Sequence, residues 1–199
     1  WIANESGRRP VLPLAGIKLP GVHNVENYMA AIAAVDGLVS DEIIRDFAKH
    51  FGGVEHRIEL VRELDGVRYY NDSIASSPSR TIAGLRSFPE KVILIAGGYD
   101  KHIPYDELGP EAVKSVKALL LTGDTAEKIK AAVLAAPDYQ PGAPDLVDCG
   151  DLREAVDRAR AMAEPGDVVI LSPASASFDR FKNFAERGNA FKDLVNALE

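Results

Sequence analysis

The chain has 199 residues, 46% hydrophobic and 27% charged, a soluble globular balance that accommodates one α/β domain and part of another. Its formal net charge of -7 argues against a nucleic-acid partner, which needs clustered Lys and Arg. No apolar run reaches the roughly 20 residues that span a bilayer, nothing reads as a signal peptide, and a lone cysteine, Cys149, excludes a disulfide framework, so a cytoplasmic protein with no membrane partner is expected. A monomer is expected too, though no feature of the composition fixes the oligomeric state.

The opening Trp1-Ile-Ala-Asn-Glu-Ser-Gly resembles neither an initiator nor a targeting segment and reads as the interior of a longer protein. Val11-Leu-Pro-Leu, broken by proline, is an edge strand or a loop. Gly16 to Gly21, with Pro20, is a turn-rich joint. Asn24 is expected to cap a helix with Tyr28, Ala31, Ile32 and Val35 at helical spacing, stopping at Gly37. Ser40-Asp-Glu opens a second helix whose expected buried face is Ile43, Ile44 and Phe47, and Gly52-Gly53 ends it.

Beyond that glycine pair the texture changes. Ile58 to Leu64 and Val67 to Tyr70 read as strands joined by an Asp65-Gly66 turn. Val92 to Ala96, Ala118 to Leu121 and Val168 to Leu171 are uniformly apolar, as in a sheet buried on both faces. Helical stretches alternate with them at Arg80 to Arg86, Ala126 to Ala135, Leu152 to Ala163 and Glu186 to Leu198. This alternation predicts an α/β fold, Rossmann-like, with a mostly parallel doubly wound sheet and helices on both faces. The boundary falls near Gly52-Gly53: residues 54–199 form a self-contained α/β domain, and residues 1–53 a partial helical remnant of another.

In open parallel sheets ligands bind at the carboxyl ends of the strands. The segments there are Asn71-Asp-Ser-Ile-Ala-Ser-Ser-Pro, Gly97-Gly-Tyr-Asp-Lys, Thr122-Gly-Asp and Ser172-Pro-Ala-Ser-Ala-Ser-Phe-Asp. Each alone could be a helix cap or a tight turn. The serines from Ser172 to Ser177 exceed what one cap needs, and Lys101 adds a matching charge, so together they suggest a small anionic ligand. There is no Walker A sequence, no G-x-G-x-x-G, no Gly-x-Ser-x-Gly elbow, and His23, His50, His56 and His102 lack metal-ligand spacing.

Four blocks carry a family resemblance: His23-Asn-Val-Glu-Asn-Tyr-Met-Ala-Ala, Gly53-Val-Glu-His-Arg-Ile-Glu, Asn71-Asp-Ser-Ile-Ala-Ser-Ser-Pro, and Leu171-Ser-Pro-Ala-Ser-Ala-Ser-Phe-Asp-Arg-Phe-Lys-Asn-Phe-Ala-Glu-Arg-Gly-Asn. In order and content they resemble the Mur ligases, and the last block resembles the D-glutamate-adding branch. The resemblance implies that residues 1–53 are the tail of a central ATPase domain, and 54–199 a carboxyl-terminal domain binding D-glutamate and nucleotide. It implies a parent enzyme that adds D-glutamate to UDP-N-acetylmuramoyl-L-alanine, with ATP and Mg²⁺, through an acyl phosphate in peptidoglycan precursor synthesis. By resemblance Asn24 and Asn27 lie near the nucleotide, Asp72 suits the ribose hydroxyls and Arg57 the phosphates, His56 and Arg187 match polar positions important to the chemistry, and Ser76, Lys101, Ser177 and Phe184 match the D-glutamate pocket.

Ile74 stands where a lysine is frequent in this branch, and Ser76 where threonine is common. The family's phosphate loop, Mg²⁺ ligands, carbamylated lysine and UDP-binding domain are expected upstream of Trp1, which would leave this chain alone catalytically silent. Competing readings are another Mur or folylpolyglutamate-type ligase, a non-catalytic Rossmann-like binding module, and a structural domain.

Overall fold

The computed structural model describes residues 1–4, 7–19 and 21–199; Pro20 of the expected joint and the side chain of His23 lie outside the described residues. The chain divides into two compact units, Trp1–Gly53 and Val54–Glu199.

In the first unit β1 (Ile2–Asn4) and β2 (Gly7–Arg9) pair antiparallel. Val11-Leu-Pro-Leu is no strand: it is irregular chain leading into a 3₁₀ turn at Leu14–Gly16, with Val11 buried. Helix α1 spans Val22–Ala34 and α2 spans Asp41–His50. The expected cap at Asn24 is corrected. Gly21, at φ 95°, turns the chain directly into α1, and Asn24 already lies in the first turn with its N–H donating to Gly21 O at 3.1 Å. In α2, Ser40 caps by accepting from Ile43 N at 3.4 Å, and Asp41 and Glu42 at the start oppose Lys49 and His50 at the end, as the helix dipole favours. The buried face is Ile44 and Ala48, whereas Ile43 and Phe47 are 59% and 53% exposed. One residue of helix turns a side chain by about 100°, so the two i,i+4 pairs cannot both face inward.

The second unit opens on a hairpin of β3 (Glu59–Leu64) and β4 (Val67–Asn71), whose turn residues Asp65 and Gly66 both have positive φ, 51° and 78°, as a primed two-residue turn requires. There follow α3 (Pro78–Leu85), β5 (Val92–Gly97), α4 (Leu108–Ser115), β6 (Val116–Thr122), α5 (Ala126–Leu134), β7 (Asp145–Asp148), α6 (Leu152–Met162), β8 (Val168–Leu171) and α7 (Phe184–Asn196). The six strands run in the order β3-β4-β8-β5-β6-β7, with β3 antiparallel and every other pairing parallel.

Residues alternate between two cores. Leu94, Leu119, Leu121 and Ile170 pack beneath α3, α4 and α5 with Leu85, Leu108 and Ile129. Ile93, Ile95, Leu120 and Val169 pack beneath α6 and α7 with Val156, Phe191 and Val195. Each fully buried Leu, Ile or Phe contributes about 1.5–3 kcal/mol. The doubly wound α/β architecture is as expected; α4 and β7 are additions. Helix α4 begins Leu108-Gly-Pro, a turn-like sequence that works because first-turn N–H groups need no intrahelical partner. Strand β7 is a short edge strand with Asp145 and Asp148 exposed, and lacks the apolar signature. Among the described residues no helix is long and apolar enough to cross a membrane.

Strand β8 inserts between β4 and β5, and its following helix α7 covers the opposite face from α3 and α4. The loops after β4, β8 and β5 therefore adjoin at one edge while their helices diverge, which opens a crevice there.

Candidate functional site

At the end of β4, Asn71 Oδ1 accepts the Ser73 N–H at 3.1 Å and closes a tight turn. Its amide donates to His56 Nδ1 at 2.9 Å and to Glu59 Oε2 at 3.1 Å, which places the imidazole proton on Nε2. His56 is 5% exposed, holds φ 66°, and packs edge-on to Phe184 at 5.9 Å between centroids. Gly188 of α7 makes room: a Cβ there would strike His56 Nδ1. His56, Glu55 and Glu59 each bring a potential metal-ligand atom within 4.8 Å of the others, but Lys192 sets its ammonium 2.7 Å from Glu55 and 2.9 Å from Glu59. The Lys192 ammonium already pairs with both carboxylates of that cluster.

Asp72 is 4% exposed and both its oxygens have protein donors, Ile58 N at 3.3 Å and Ser172 Oγ at 2.7 Å. Burial raises its pKa to about 7, against the opposing pull of those donors and of Arg57 and Arg80. Gly84 of α3 lets the carboxylate lie against the helix, since a Cβ there would sit 3.0 Å from Asp72 Oδ2. Arg57 is half-buried, and Ser76 half-buried in the loop before α3.

Arg187, 4% exposed on α7, ties two loops together. Its Nε donates to Ser73 Oγ at 3.0 Å and Nη2 to Ser73 O at 2.9 Å; Nη1 donates to Ala176 O at 2.9 Å and Nη2 to Ser175 O at 3.1 Å. Ser73 Oγ in turn donates to Phe184 O at 2.7 Å. Burial pulls the guanidinium's pKa down to about 10, so it stays protonated at neutral pH.

The loops after β5 and β8 are bridged by Tyr99 N donating to Ala176 O at 2.9 Å. Ser177 is buried, and its carbonyl accepts from Arg180 and Phe181. Asp100 pairs with Lys128 of α5 and accepts the His102 N–H at 2.8 Å, which holds its carboxyl below the usual range. Lys101, between them, is exposed and has no anionic partner among the described residues. Beneath these loops Tyr105 OH, Ser175 Oγ and Thr125 Oγ1 form a buried row, 2.8 and 2.7 Å apart, that ends on Gly98.

The structure thus gathers His56, Phe184 and Arg187 around Asn71 and Ser73, ties Asp72, which lies between those two in the chain, to Ile58 and Ser172 instead, and sets Ser76, Lys101 and Ser177 in loops along the same sheet edge. Asn24 and Asn27 belong to the first unit, one helical turn apart on α1, with Asn27 Nδ2 donating to Asn24 Oδ1 at 3.4 Å. The sequence reading did not single out Asn71, Ser73, Tyr105, Thr125 or Ser175. Ser175 lay in the serine-rich run and Asn71 and Ser73 in a flagged loop, whereas Tyr105 and Thr125 gave no signal.

Comparison with known proteins sets this geometry in context. Residues 56–175 match the family described as Mur ligase, glutamate ligase domain. The chain is 60% identical over 185 residues to the UDP-N-acetylmuramoylalanine–D-glutamate ligase of Acetivibrio thermocellus, covering 92% of this chain and 40% of that protein. It is 57% identical over 185 residues to the ligase of the same name from Ruminiclostridium cellulolyticum, again covering 92% and 40%. The chain therefore spans about 40% of the length of these curated relatives. In fold it is similar to UDP-N-acetylmuramate-alanine ligase from Thermotoga maritima, at TM-score 0.66 and 17% identity over 91% of this chain and 39% of that one. It is also similar to a Mycobacterium tuberculosis folylpolyglutamate synthase complexed with ADP, at TM-score 0.63 and 17% identity over 89% and 41%. With a sheet of the right topology and a domain match from His56 to Ser175, the chain belongs to the Mur ligase family and carries its glutamate ligase domain.

Proposed function

We propose that this chain is the carboxyl-terminal part of an ATP-dependent ligase that joins the amine of D-glutamate to the lactoyl-alanyl carboxylate of UDP-N-acetylmuramoyl-L-alanine. The observation that carries the reading is Lys101: an exposed ammonium without an anionic partner among the described residues, on the loop that Tyr99 bridges to the Ser177 loop, because the adjacent Asp100 is taken by Lys128. A free ammonium beside hydroxyl-bearing loops suits the carboxylates of a small dicarboxylic amino acid. The names of the relatives at 60% and 57% identity favour D-glutamate among such acids.

In this reading Lys101 and the hydroxyls of Ser76 and Ser177 hold the amino acid, and Phe184 closes the apolar side. Arg57 and the amides of Asn24 and Asn27 serve the nucleotide. Asp72, expected on the ribose hydroxyls, has both oxygens engaged by Ile58 N and Ser172 Oγ, and we propose that it serves the nucleotide by fixing the loop after β4. His56 and Arg187 fix the loops on which these groups ride. When bound, ATP with Mg²⁺ supplies activation of the carboxylate. The chain offers no phosphate loop, and Lys192 fills the Glu55–His56–Glu59 cluster, so we assign Mg²⁺ to no residue of this chain. Its contribution is positioning and charge neutralisation. The chain alone is accordingly expected to release no phosphate from ATP, and we propose that the protein acts in the cytoplasm as a monomer.

The test is amino-acid selectivity of the full-length protein, assayed as phosphate release with ATP and UDP-N-acetylmuramoyl-L-alanine. D-glutamate should support turnover; preference for another amino acid would overturn the assignment, and turnover by residues 1–199 alone would overturn the division of labour.

A further inference from the structure

We infer that the buried hydroxyl row Tyr105–Ser175–Thr125 positions the amino-acid pocket, making Tyr105 and Thr125 positioning residues that set affinity for D-glutamate. The inference rests on the pocket reading above.

The row has a fixed direction. Tyr105 is 4% exposed, and Ser175 and Thr125 are each 0% exposed. Thr125 Oγ1 accepts the Gly98 N–H at 3.1 Å and lies 3.2 Å from Gly98 O, to which it donates. With Thr125 donating to Gly98 O, Ser175 Oγ, at 2.7 Å, donates to Thr125 and Tyr105 OH, at 2.8 Å, to Ser175, the direction in which every hydroxyl proton finds an acceptor. Donation runs from α4's approach through the β8 loop and the β6 loop to the backbone of the β5 loop. Every hydroxyl is satisfied, and the row is set against an apolar core; phenylalanine, alanine and valine would fill the same space but leave the buried Gly98 N–H without its acceptor. A hydroxyl row in such a place selects one arrangement of the loops it joins.

What it joins is the junction on which the proposed pocket depends. Gly98, at φ 147°, has no room for a side chain: a Cβ would collide with Ala176 O and approach Arg187 Nη1 to 3.0 Å. The next residue, Tyr99, is bridged to Ala176. Lys101 lies three residues beyond Gly98 and Ser177 two beyond Ser175. Asp100, clamped to Lys128 and to the His102 N–H, carries the position of Gly98 onward to Lys101. A shift of Gly98 against Ser175 therefore displaces the Lys101 loop relative to the Ser177 loop, and misplacement by about 1 Å can reduce a rate by about 100-fold.

The experiment is steady-state kinetics of Thr125→Val, Thr125→Ser, Tyr105→Phe and Lys101→Ala in the full-length ligase. Thr125→Val keeps shape but removes the hydroxyl at the centre of the row. It should raise KM for D-glutamate about 10-fold or more and leave KM for ATP within about 2-fold, and Thr125→Ser should restore most of the loss. A role confined to stability would lower the folded fraction, and so apparent kcat, with both KM values intact. That result, or an equal rise in both KM values, overturns the inference. Should Thr125→Val fail to fold, Tyr105→Phe decides: a rise of about 3-fold or more in KM for D-glutamate supports the row, and no change overturns it. Lys101→Ala separates the two levels. A flat response there removes the pocket reading and this inference with it. A raised KM for Lys101→Ala beside a flat Thr125→Val overturns this inference alone.

Discussion

The guanidinium of Arg187 grips both the hydroxyl and the carbonyl of Ser73, at 3.0 and 2.9 Å, from a helix more than a hundred residues further along the chain. Its remaining bonds go to the carbonyls of Ala176 and Ser175, so a buried cation is satisfied wholly by neutral oxygens. Arg187→Ala would leave the carbonyls of Ser73 and Ser175 buried without their donor, Ala176 O keeping only the Tyr99 N–H, and should destabilise the domain by roughly 3 kcal/mol or more. Arg187→Lys keeps the charge but not the planar fork, and should recover little of the loss. Urea unfolding midpoints measure both. An effect within about 0.5 kcal/mol would mean that Arg187 behaves as a surface residue.

Asp72 makes stability depend on pH. Its folded pKa stands near 7, raised from 3.8 chiefly by burial. Between about pH 4 and about pH 7 the folded chain holds a proton that the unfolded chain has released. Stability is therefore greatest on the acid side of that window and falls as pH rises through it, by up to about 4 kcal/mol for a shift of this size. Asp72→Asn mimics the protonated acid and should flatten that part of the slope. Unfolding of both proteins at about pH 5 and about pH 8 checks this, and parallel slopes would contradict it.

Gly188 and His56 should be energetically coupled. A methyl at Gly188 would run into His56 Nδ1 and come 3.1 Å from Asn71 Nδ2. Gly188→Ala should cost about 1–3 kcal/mol in the native background. In a His56→Gly background, which removes the ring and relieves the left-handed backbone at φ 66°, it should cost much less. A double-mutant cycle with strictly additive losses would show that the two side chains do not share this space.

Much of the fold was legible because the buried strands carry it openly. Val92 to Ala96 and Val168 to Leu171 are apolar at every position, which only a sheet covered on both faces explains. The turn at Asp65-Gly66 was legible for a backbone reason, the need for positive φ. Strand β7 was hidden because an edge strand with aspartates at both ends has no apolar face to betray it. Helix α4 was hidden by Gly109-Pro110, which imitates a turn until a first helical turn accommodates it. At Ile43 and Phe47 hydrophobicity gave the residue type but not the azimuth of the helix. The site divides in the same way. Loops after apolar strands announced Asp72, Lys101 and Ser177, whereas Tyr105 and Thr125 act through partners 70 and 50 residues away that local sequence cannot pair.

The central claim is that Lys101 holds a carboxylate of D-glutamate. In the full-length ligase, KM for D-glutamate and for ATP would be measured for the native protein, Lys101→Ala and Arg57→Ala. Loss of a charge-assisted hydrogen bond corresponds to roughly 1.5–3 kcal/mol, so Lys101→Ala should raise KM for D-glutamate about 10-fold to 150-fold and leave that for ATP nearly unchanged. Arg57→Ala should do the reverse and impair the ATP-dependent step. If Lys101→Ala leaves the D-glutamate dependence as it was, the ammonium is an ordinary surface charge after a glycine turn, and the pocket does not lie between Ser76, Lys101, Ser177 and Phe184.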